Sequence, residues 1–322
     1  MNCFLFGPGC FGPWIRSLQE ALHRAGFDPG PIDGLYGPRT AGAVRAFSKS
    51  HSLPERGEIT LRGWSLLGLD SPPSLFERSL QLVAALEWTA CRGQNPFGCV
   101  TGNFDGQGLT WGVIGFTLRG GQVGLILDRI NQVDPLLLPC LDGEKWDDLR
   151  PVLRASPTER VRWGESISLH QGQHVEPGWL KWFARLGEEP LVRKVQQEVV
   201  WDDYWRPAME SAHALELKTE WGLALCFDIH VQNGHATRAK KRLHQYQAEC
   251  QRASTHTEKE HRRILAERIS AGCKPIWRNA VFKRKHLFVA GKGTVNGYVF
   301  SLPHWGLQER RCEVLEGEDF TE

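Results

Sequence analysis

Two carboxylates, Glu87 and Asp105, lie 18 positions apart in contrasting local sequences. Glu87 ends an apolar run and precedes Trp88, surroundings in which burial would raise the pKa of its carboxyl group. Asp105 lies in a glycine-rich turn, where a more polar loop would keep its carboxylate ionised. Hydrolysis of a glycosidic bond uses such a pair, one group as acid and the other as base. The spacing alone indicates this chemistry only weakly, because many helices end in Glu and many turns contain Asp.

Other residues that could act beside the pair have two interpretations each. Trp88 and Trp111 flank the carboxylates and are expected either to pack in the core or to contact a sugar ring. Asp228, in an apolar run, is expected either to pair with an Arg or to line a substrate cleft. His230 and His235 lack a third ligand at helical spacing, so we predict no metal site. No cofactor-binding motif is complete, and no cofactor is expected.

The sequence before these carboxylates predicts a small helical unit over residues 14–67. Apolar residues from Ile15 to Leu22 follow helical spacing, and a turn-rich stretch comes next. Thr40 is predicted to cap a second helix, and a third helix is predicted to begin near Thr60. Three short helices around a glycine-rich loop make a domain near the lower size limit for independent stability.

A set of residues along this unit matches a known pattern. The set is Leu18-Gln19, Leu22, Gly26-Phe27, Gly30, Ile32-Asp33-Gly34, Tyr36-Gly37, Thr40, Ala43-Val44, Phe47, Leu53, Gly57 and Thr60. On these residues the unit resembles the peptidoglycan-binding domain of bacterial and phage cell-wall hydrolases. The resemblance implies wall binding, a role that we assign to Asp33, Tyr36 and Thr40. Ser48 departs from the family, which usually has Gln there, and a three-helix spacer that has lost its ligand is the alternative.

We place this first domain at residues 1–68, a stiff linker at 69–74 and a larger domain at 75–322. The larger domain is predicted to be mostly helical with a small β-part. Helices are predicted over Thr110–Val133, despite its glycines, and over Trp221–Val231, which is apolar enough to be the core helix. The predicted fold class is therefore mainly α, within α+β.

Two blocks in the larger domain match a second pattern. They are Glu87 with Asp105-Gly106-x-Gly108-x-Thr110-x-Gly112-x-Ile114-Gly115-Phe116, and Trp201 to Ala208 with Phe227-Asp228-Ile229-His230-Val231-Gln232-Asn233-Gly234. On these blocks the domain resembles the chitosanases of glycoside hydrolase family 46, which have a two-lobed, lysozyme-like fold. The resemblance implies Glu87 as general acid, Asp105 as general base and Thr110 as the residue that holds the attacking water. It also implies inversion, which needs carboxyl groups about 6.5–9.5 Å apart.

One departure from that family bears on the substrate. Chitosanases place an Asp shortly after the Gly-Phe block to bind the glucosamine ammonium, and Gln122 stands at that place here. A neutral amide suits an N-acetylated sugar better, since an unpaired buried charge is costly. Together with a wall-binding domain, this favours peptidoglycan as the substrate of a muramidase-type endolysin or delivered effector. A chitosanase, or a non-catalytic peptidoglycan-binding protein on the same fold, is the alternative.

Composition and charge limit the remaining classes of function. With 41% hydrophobic and 24% charged residues, the chain is expected to fold around a packed core. The formal net charge of +2 excludes a chain that is polybasic throughout. Residues 238–292 carry 15 Lys or Arg against 4 Asp or Glu, an excess of +11 that would attract a polyanion or form a solvated face. We expect peptidoglycan or a related amino-sugar polymer as partner, and no nucleic acid.

The sequence also predicts where the protein acts. No apolar stretch reaches the roughly 20 residues that a membrane-spanning helix needs, and Met1–Pro8 lacks the features of a signal peptide. We expect synthesis in the cytoplasm and action at the cell wall, after phage-encoded release or delivery by a secretion system. The nine cysteines are expected to be mainly reduced thiols, although Cys91 and Cys99 could pair in an oxidising space. A monomer is expected.

Overall fold

In a computed structural model of the chain, the described residues are 4–88, 93–233, 243, 245–252 and 257–315. They form two compact units. The first unit comprises Met1–Gly93 and Asp202–Glu322, and the second comprises Gln94–Trp201. The sequence-based boundaries at residues 68 and 75 both lie within the first unit, and the division that they describe stays a prediction.

The N-terminal part of the first unit contains the predicted short helices. Its elements are β1 (Phe4–Phe6), α1 (Pro13–Arg24), α2 (Pro38–Ser50), β2 (Ile59–Thr60), α3 (Leu61–Leu66) and α4 (Leu75–Glu87). Strands β1 and β2 pair antiparallel. Ile15 and Leu22 of α1 and Phe47 of α2 are all buried in the apolar core of this part. The helical spacing in the sequence therefore predicted correctly which face of α1 is buried.

The start of α2 differs from the sequence prediction. Gly37 is the N-cap residue, Pro38 is the first helical residue, and Thr40 lies inside the first turn. Proline suits the first helical position, because its φ is fixed near the helical value and its missing N–H would be unbonded there anyway. The prediction that a helix begins near Thr60 is confirmed. The side chain of Thr60 caps α3 by accepting a hydrogen bond of 3.0 Å from the Gly63 N–H.

The second unit combines a small sheet with helices. Its elements are a 3₁₀ turn (Pro96–Gly98), β3 (Val100–Thr101), β4 (Thr110–Trp111), β5 (Phe116–Thr117), α5 (Gln122–Val133), α6 (Leu137–Leu153), α7 (Pro157–Ser166), β6 (Ser168–Leu169), β7 (His174–Val175), α8 (Pro177–Glu188) and α9 (Pro190–Val200). Strands β3, β4 and β5 form one antiparallel sheet in that order. Strands β6 and β7 form a separate hairpin.

The prediction of one helix over Thr110–Val133 is wrong. The segment begins with β4 and β5, and the helix starts only at Gln122. Gly112, Gly115 and Gly121 have φ values of 85°, 76° and 83°. This left-handed conformation is easy for glycine and incompatible with a continuous α-helix. The glycines therefore make the turns that let the chain form strands before it enters α5.

The chain then returns to the first unit. A π-helical turn (Trp201–Trp205) leads into α10 (Arg206–Ala214), α11 (Glu220–Asn233), α12 (Gln247–Gln251), α13 (Glu258–Ala271), α14 (Pro275–Ala290), β8 (Lys292–Val295), β9 (Tyr298–Ser301) and 3₁₀ turns at Leu302–Trp305 and Glu313–Leu315. Helix α11 is buried from Glu220 to His230. The apolar run at Trp221–Val231 is thus the core helix that the sequence predicted.

The N-terminal segment packs directly on the C-terminal 3₁₀ turn Leu302–Trp305. The Gly7 N–H donates a hydrogen bond of 2.9 Å to the carbonyl of His304. The ring of Phe11 meets the ring of Trp305 edge-on, with centroids 5.2 Å apart. From α4, Gln81 Nε2 donates a hydrogen bond of 2.8 Å to the carbonyl of Phe11. These contacts hold the N-terminal segment against the rest of the first unit.

The described part of the chain is predominantly helical with small sheets, which confirms the predicted fold class. None of the helices described is both long enough and apolar enough to cross a bilayer. Free thiols are found at Cys10, Cys140, Cys226, Cys250, Cys273 and Cys312, whereas Cys91 lies outside the described residues.

The packing of Phe11 on Trp305 gives a first prediction. Replacing Phe11 by Ala removes a buried aromatic ring, which typically costs about 3–5 kcal/mol of unfolding free energy. We expect faster amide hydrogen exchange at residues 302–305 as well as a lower Tm. Phe27→Ala is the matched control, since Phe27 packs on Phe47 within the N-terminal segment. Unchanged exchange at residues 302–305 in Phe11→Ala would contradict the direct packing.

Candidate active site

Glu87 is the last residue of α4, and the helix is built to end there. A capping box at Ser74 and Glu77 fixes the other end of α4. The apolar residues Leu82–Leu86 are buried, whereas 27% of the Glu87 side chain is exposed. Trp88 follows as the C-cap residue and is 8% exposed. The helix therefore anchors the backbone of Glu87 while part of its side chain stays exposed to solvent.

A buried arginine joins Glu87 to a second predicted site residue. Arg284 Nη2, from α14, lies 2.6 Å from Glu87 Oε1 and 2.6 Å from Asp228 Oδ1. Arg284 Nε donates a further hydrogen bond of 2.8 Å to the same Asp228 oxygen. The next residue along α14, Lys285, places Nζ 2.5 Å from Asp228 Oδ2. Two carboxylates and two cations thus form one network inside the first unit.

The electrostatics of this network follow from its burial. Asp228, Arg284 and Lys285 are all buried. Burial opposes the charge on Asp228, yet Arg284 and Lys285 lower the pKa of its carboxyl below the usual value. Burial also opposes the charge on Arg284, but Asp228 and Glu87 raise the pKa of its guanidinium. For Lys285 burial is the stronger effect, and its pKa falls to about 8 despite the attraction of Asp228.

The sequence interpretation anticipated one part of this network and missed another. Pairing with an Arg was one of the two expectations for Asp228, and the structure has that pair. The sequence analysis counts Arg284 and Lys285 in the basic stretch 238–292, which it assigns to a solvated or polyanion-binding face. The missed indication was helical spacing: both residues fall on the face of α14 that also buries Val281 and Phe288.

In the second unit, Asp105 lies in the loop that connects β3 and β4. Asp105 is exposed, and its Oδ1 accepts a hydrogen bond of 3.1 Å from the Gln107 N–H. This Asx turn fixes the carboxylate relative to the loop. The exposure agrees with the polar environment that the sequence predicted for an ionised base.

Asn103 makes three hydrogen bonds that hold the loop containing Asp105. Its N–H donates a hydrogen bond of 2.8 Å to Ser168 Oγ, at the start of β6. Its Oδ1 accepts one of 2.7 Å from the Gly108 N–H, which closes the loop on itself. Its Nδ2 donates one of 2.5 Å to Glu165 Oε2 on α7. The loop is therefore fixed to α7 and β6, and sequence spacing gave no indication of those two partners.

The three-stranded sheet has one apolar face and one face of threonines. Its cross-strand register pairs Thr101 with Thr110 and Thr110 with Thr117, and all three are half-buried. Thr117 Oγ1 is 3.3 Å from Gln122 Oε1. Among the described residues, none lies within hydrogen-bonding distance of Oγ1 of Thr101 or Thr110. The Thr110 oxygen is itself buried, so its predicted role in holding a water molecule stays a prediction.

Trp111 lies on the apolar face of the sheet. Trp111 is fully buried beside Val100 and Phe116, and its ring packs on Phe183 with centroids 5.4 Å apart. Of its two interpretations, the structure supports a core residue.

Gln122 is the first residue of α5, and its Oε1 accepts hydrogen bonds from the Thr117 N–H and hydroxyl. Gln122 is thus joined to the threonine face of the sheet.

Two of the three residues assigned to wall binding, Asp33 and Thr40, bond the buried amide of Gln19. Gln19 Nε2 donates hydrogen bonds to Asp33 Oδ1 (3.0 Å) and Thr40 Oγ1 (3.2 Å). Tyr36 donates its hydroxyl hydrogen to the carbonyl of Gly57 at 3.0 Å. Tyr36 and Thr40 are buried, whereas Asp33 is half-buried. These bonds fix the shape of the glycine-rich loop, and direct contact of the three residues with the wall stays a prediction.

The structure thus brings the predicted residues together in three groups. Glu87 and Asp228 share the arginine network of the first unit, and Asp105, Thr110 and Gln122 lie on or beside the small sheet of the second. The pairing of Glu87 with Asp105 stays a prediction from the sequence. The basic run at 238–242 and His235 lie outside the described residues. Within the described part of the chain, no cluster of His, Cys, Asp and Glu could hold a metal ion.

Comparison with known proteins supports the assignment of the N-terminal part. Residues 12–67 match the family model of the putative peptidoglycan binding domain. Over 52 residues the chain is 42% identical to the putative OxPP cycle protein OpcA of Nostoc punctiforme. That match spans 16% of this chain and 11% of the relative, so only a segment is shared. The predicted peptidoglycan-binding domain is confirmed.

Solved structures support the fold of the larger part. The chain is similar to a GH46 chitosanase of Gynuella sunshinyii, solved with chitotetraose, at a TM-score of 0.51 and 18% identity, over 72% of this chain and 98% of that one. It is also similar to native chitosanase of Bacillus subtilis MY002, at a TM-score of 0.52 and 16% identity, over 70% and 97%. At these identities the likeness establishes the fold, and the predicted chitosanase-like architecture is confirmed.

The buried network gives a prediction of pH dependence. Because the pKa of Asp228 is lowered on folding, the stability that it contributes is present above its unfolded value, near 3.8, and is lost as the pH falls through the folded value. We expect Asp228→Asn to lower the unfolding free energy at neutral pH by about 3–5 kcal/mol, since it leaves buried cations uncompensated. Denaturant titrations from pH 7 to 3 should also show a weaker loss of stability toward acid in the variant.

The matched control is Asp28→Asn. The pKa of Asp28 is also lowered, by the Gly30 N–H and Arg39, but this pair is exposed to solvent. We expect little change in stability at neutral pH, because exposed ion pairs contribute little. Equal effects of the two substitutions would contradict the importance of the buried network.

The contacts of Asn103 predict a local effect in the second unit. Asn103→Ala removes both side-chain hydrogen bonds and should cost about 1–2 kcal/mol of stability. Hydrogen exchange at the Gly108 amide, which loses its acceptor, should become faster. The control is Asn279→Ala, because Asn279 is exposed on α14. An unchanged exchange rate at Gly108 in Asn103→Ala would show that the loop does not depend on this residue.

Proposed function

We propose that the protein hydrolyses β-1,4 bonds in the glycan strands of peptidoglycan, with Glu87 as general acid and Asp105 as general base. The observation that carries the proposal is the partly exposed Glu87 bonded to the buried Arg284, in a chain with a chitosanase-like fold. A carboxyl group that donates a proton becomes a carboxylate. Arg284 Nη2, 2.6 Å from Glu87 Oε1, would stabilise that product by charge and hydrogen bonding.

Asp228 and Lys285 would act on Arg284 and not on the substrate. Both are fully buried, so neither is placed to contact a glycan from solvent. Two bonds from Arg284 to Asp228 fix the orientation of the guanidinium. We therefore revise the proposed role of Asp228 from substrate binding to positioning of Arg284.

The second unit would supply the attacking water. Asp105 is exposed and would take a proton from a water molecule, while the Thr110 hydroxyl would orient that water. Glu87 would give its proton to the glycosidic oxygen on the opposite face of the sugar. Attack from the face opposite the leaving group inverts the anomeric centre, and this needs carboxyl groups about 6.5–9.5 Å apart.

Two observations favour peptidoglycan over chitosan. Residues 12–67 match a putative peptidoglycan binding domain, which would raise the local concentration of wall glycan. Gln122, joined to Thr117, gives the proposed sugar-binding face a neutral amide where a carboxylate would favour an ammonium group. This neutral lining suits N-acetylated sugars. The cell wall is then the place of action, and an endolysin or a delivered effector is the corresponding role.

The proposed roles predict the effect of removing each carboxylate. Glu87→Gln and Asp105→Asn should each lower the rate of sacculus hydrolysis by about 10²- to 10⁴-fold, because each removes one proton-transfer group. Mass spectrometry of fragments released from purified sacculi measures rate and product together. Glu198→Gln is the control, since Glu198 is half-exposed in an ion pair with Lys194 on α9. Near-wild-type release by folded Glu87→Gln would refute the proposal.

The same assay separates the alternatives. The fold likeness to chitosanases favours a chitosanase as the second candidate, which would release reducing ends from chitosan and nothing from sacculi. Full activity of Asp105→Asn would indicate lytic transglycosylase chemistry, which needs only the acid. Tight binding to sacculi with no released fragment would indicate a non-catalytic wall-binding protein.

A further inference from the structure

A long segment near the C-terminal end of the chain contains basic residues and no acidic ones. Between Glu267 and Glu309 the sequence has seven Lys or Arg and neither Asp nor Glu. The proposed hydrolase site uses only Arg284 and Lys285, which are buried in the network with Asp228. Arg268, at the edge of the segment, is paired with Glu249. The remaining basic residues have no role in that site.

Two of these cations lie on α14, and a third, Lys274, is its N-cap residue. Lys274, Arg278 and Lys283 are all exposed to solvent. The described residues make no carboxylate ion pair with any of the three at salt-bridge distance. Helix α14 itself carries no acidic residue, so within the described part of the chain these three cations have no carboxylate partner.

Large apolar side chains are exposed on the same helix. Ile276 is 78% exposed and Trp277 is 58% exposed, whereas Val281 and Phe288 farther along α14 are buried. Phe282, one turn beyond Arg278, is 37% exposed. Exposed side chains of this size keep apolar area in water, and their clustering marks an interaction surface.

We propose that this cationic–apolar patch, formed by Lys274, Ile276, Trp277, Arg278 and Lys283, binds the surface of an anionic phospholipid bilayer. The cations would lie at the level of the lipid phosphates. Trp277 and Ile276 would enter the boundary between headgroups and acyl chains, where tryptophan is favoured. Binding of this kind leaves the protein on one side of the membrane.

A bilayer fits the patch better than a hydrophilic polyanion does. Nucleic acid or a wall polymer would satisfy Lys274, Arg278 and Lys283, and Trp277 could stack on a base or sugar. Ile276 has no polar group and is the more exposed of the two apolar residues. It gains free energy only in an apolar medium, which the acyl region of a bilayer supplies next to the phosphates. The inference does not depend on the proposed hydrolase activity.

Co-sedimentation of the full-length protein with vesicles tests the proposal. Vesicles of phosphatidylcholine that contain about 30 mol% of the anionic lipid phosphatidylglycerol should bind the protein. Vesicles of pure phosphatidylcholine should not bind it. Binding should weaken as salt screens the cations. The double substitution Ile276→Ser and Trp277→Ser should weaken vesicle binding by about tenfold or more. Each change removes an apolar side chain that would be buried in the bilayer.

The matched control is Leu136→Ser, because Leu136 is 70% exposed in the second unit. It should bind vesicles like the wild type, and circular dichroism should show that all variants are folded. No binding to anionic vesicles, equal binding to neutral ones, or undiminished binding of the double variant would each overturn the proposal. Loss of sacculus or single-stranded DNA binding in that variant, with vesicle binding retained, would assign the patch to that polymer instead.

Discussion

The pair of bonds from Arg284 to Glu87 and Asp228 is the interaction on which the first unit depends. A guanidinium taken out of water needs carboxylates within hydrogen-bonding distance, and α4 and α11 each supply one. Asp228 is fully buried and pairs with the arginine, whereas Glu87 is partly exposed and, in the proposed function, would also act on a substrate. The bond between Arg284 and Glu87 therefore stabilises the fold. In the proposed mechanism it would also stabilise the negative charge that Glu87 acquires when it donates its proton.

The second unit meets a different requirement of the proposed mechanism, in which the base must be accessible to water. Its short sheet puts Val100, Trp111 and Phe116 into the core and threonines on the other face. The loop of Asp105 would be free to move without support, and Asn103 ties it to β6 and α7. Rigid support behind an exposed carboxylate is the arrangement that positioning of a water molecule requires.

Sequence reasoning succeeded where a local pattern decides the structure. The glycine-rich loop identified the N-terminal domain, and the apolar run of α11 identified the core helix. It failed over Thr110–Val133, because helical spacing was weighed above the glycines that take left-handed conformations. It also missed the partners of Glu87 and Asp105. Arg284 is 197 positions from Glu87, and no local pattern reports a contact over such a separation.

The stereochemistry of the first product tests the central claim, two-carboxylate hydrolysis of wall glycan, most directly. Proton NMR during digestion of soluble peptidoglycan strands would resolve the anomeric signal of each new reducing end before mutarotation. The account predicts that the α-anomer appears first, since a β-bond is cleaved with inversion. Initial formation of the β-anomer, a product without a reducing end, or no product at all would contradict it.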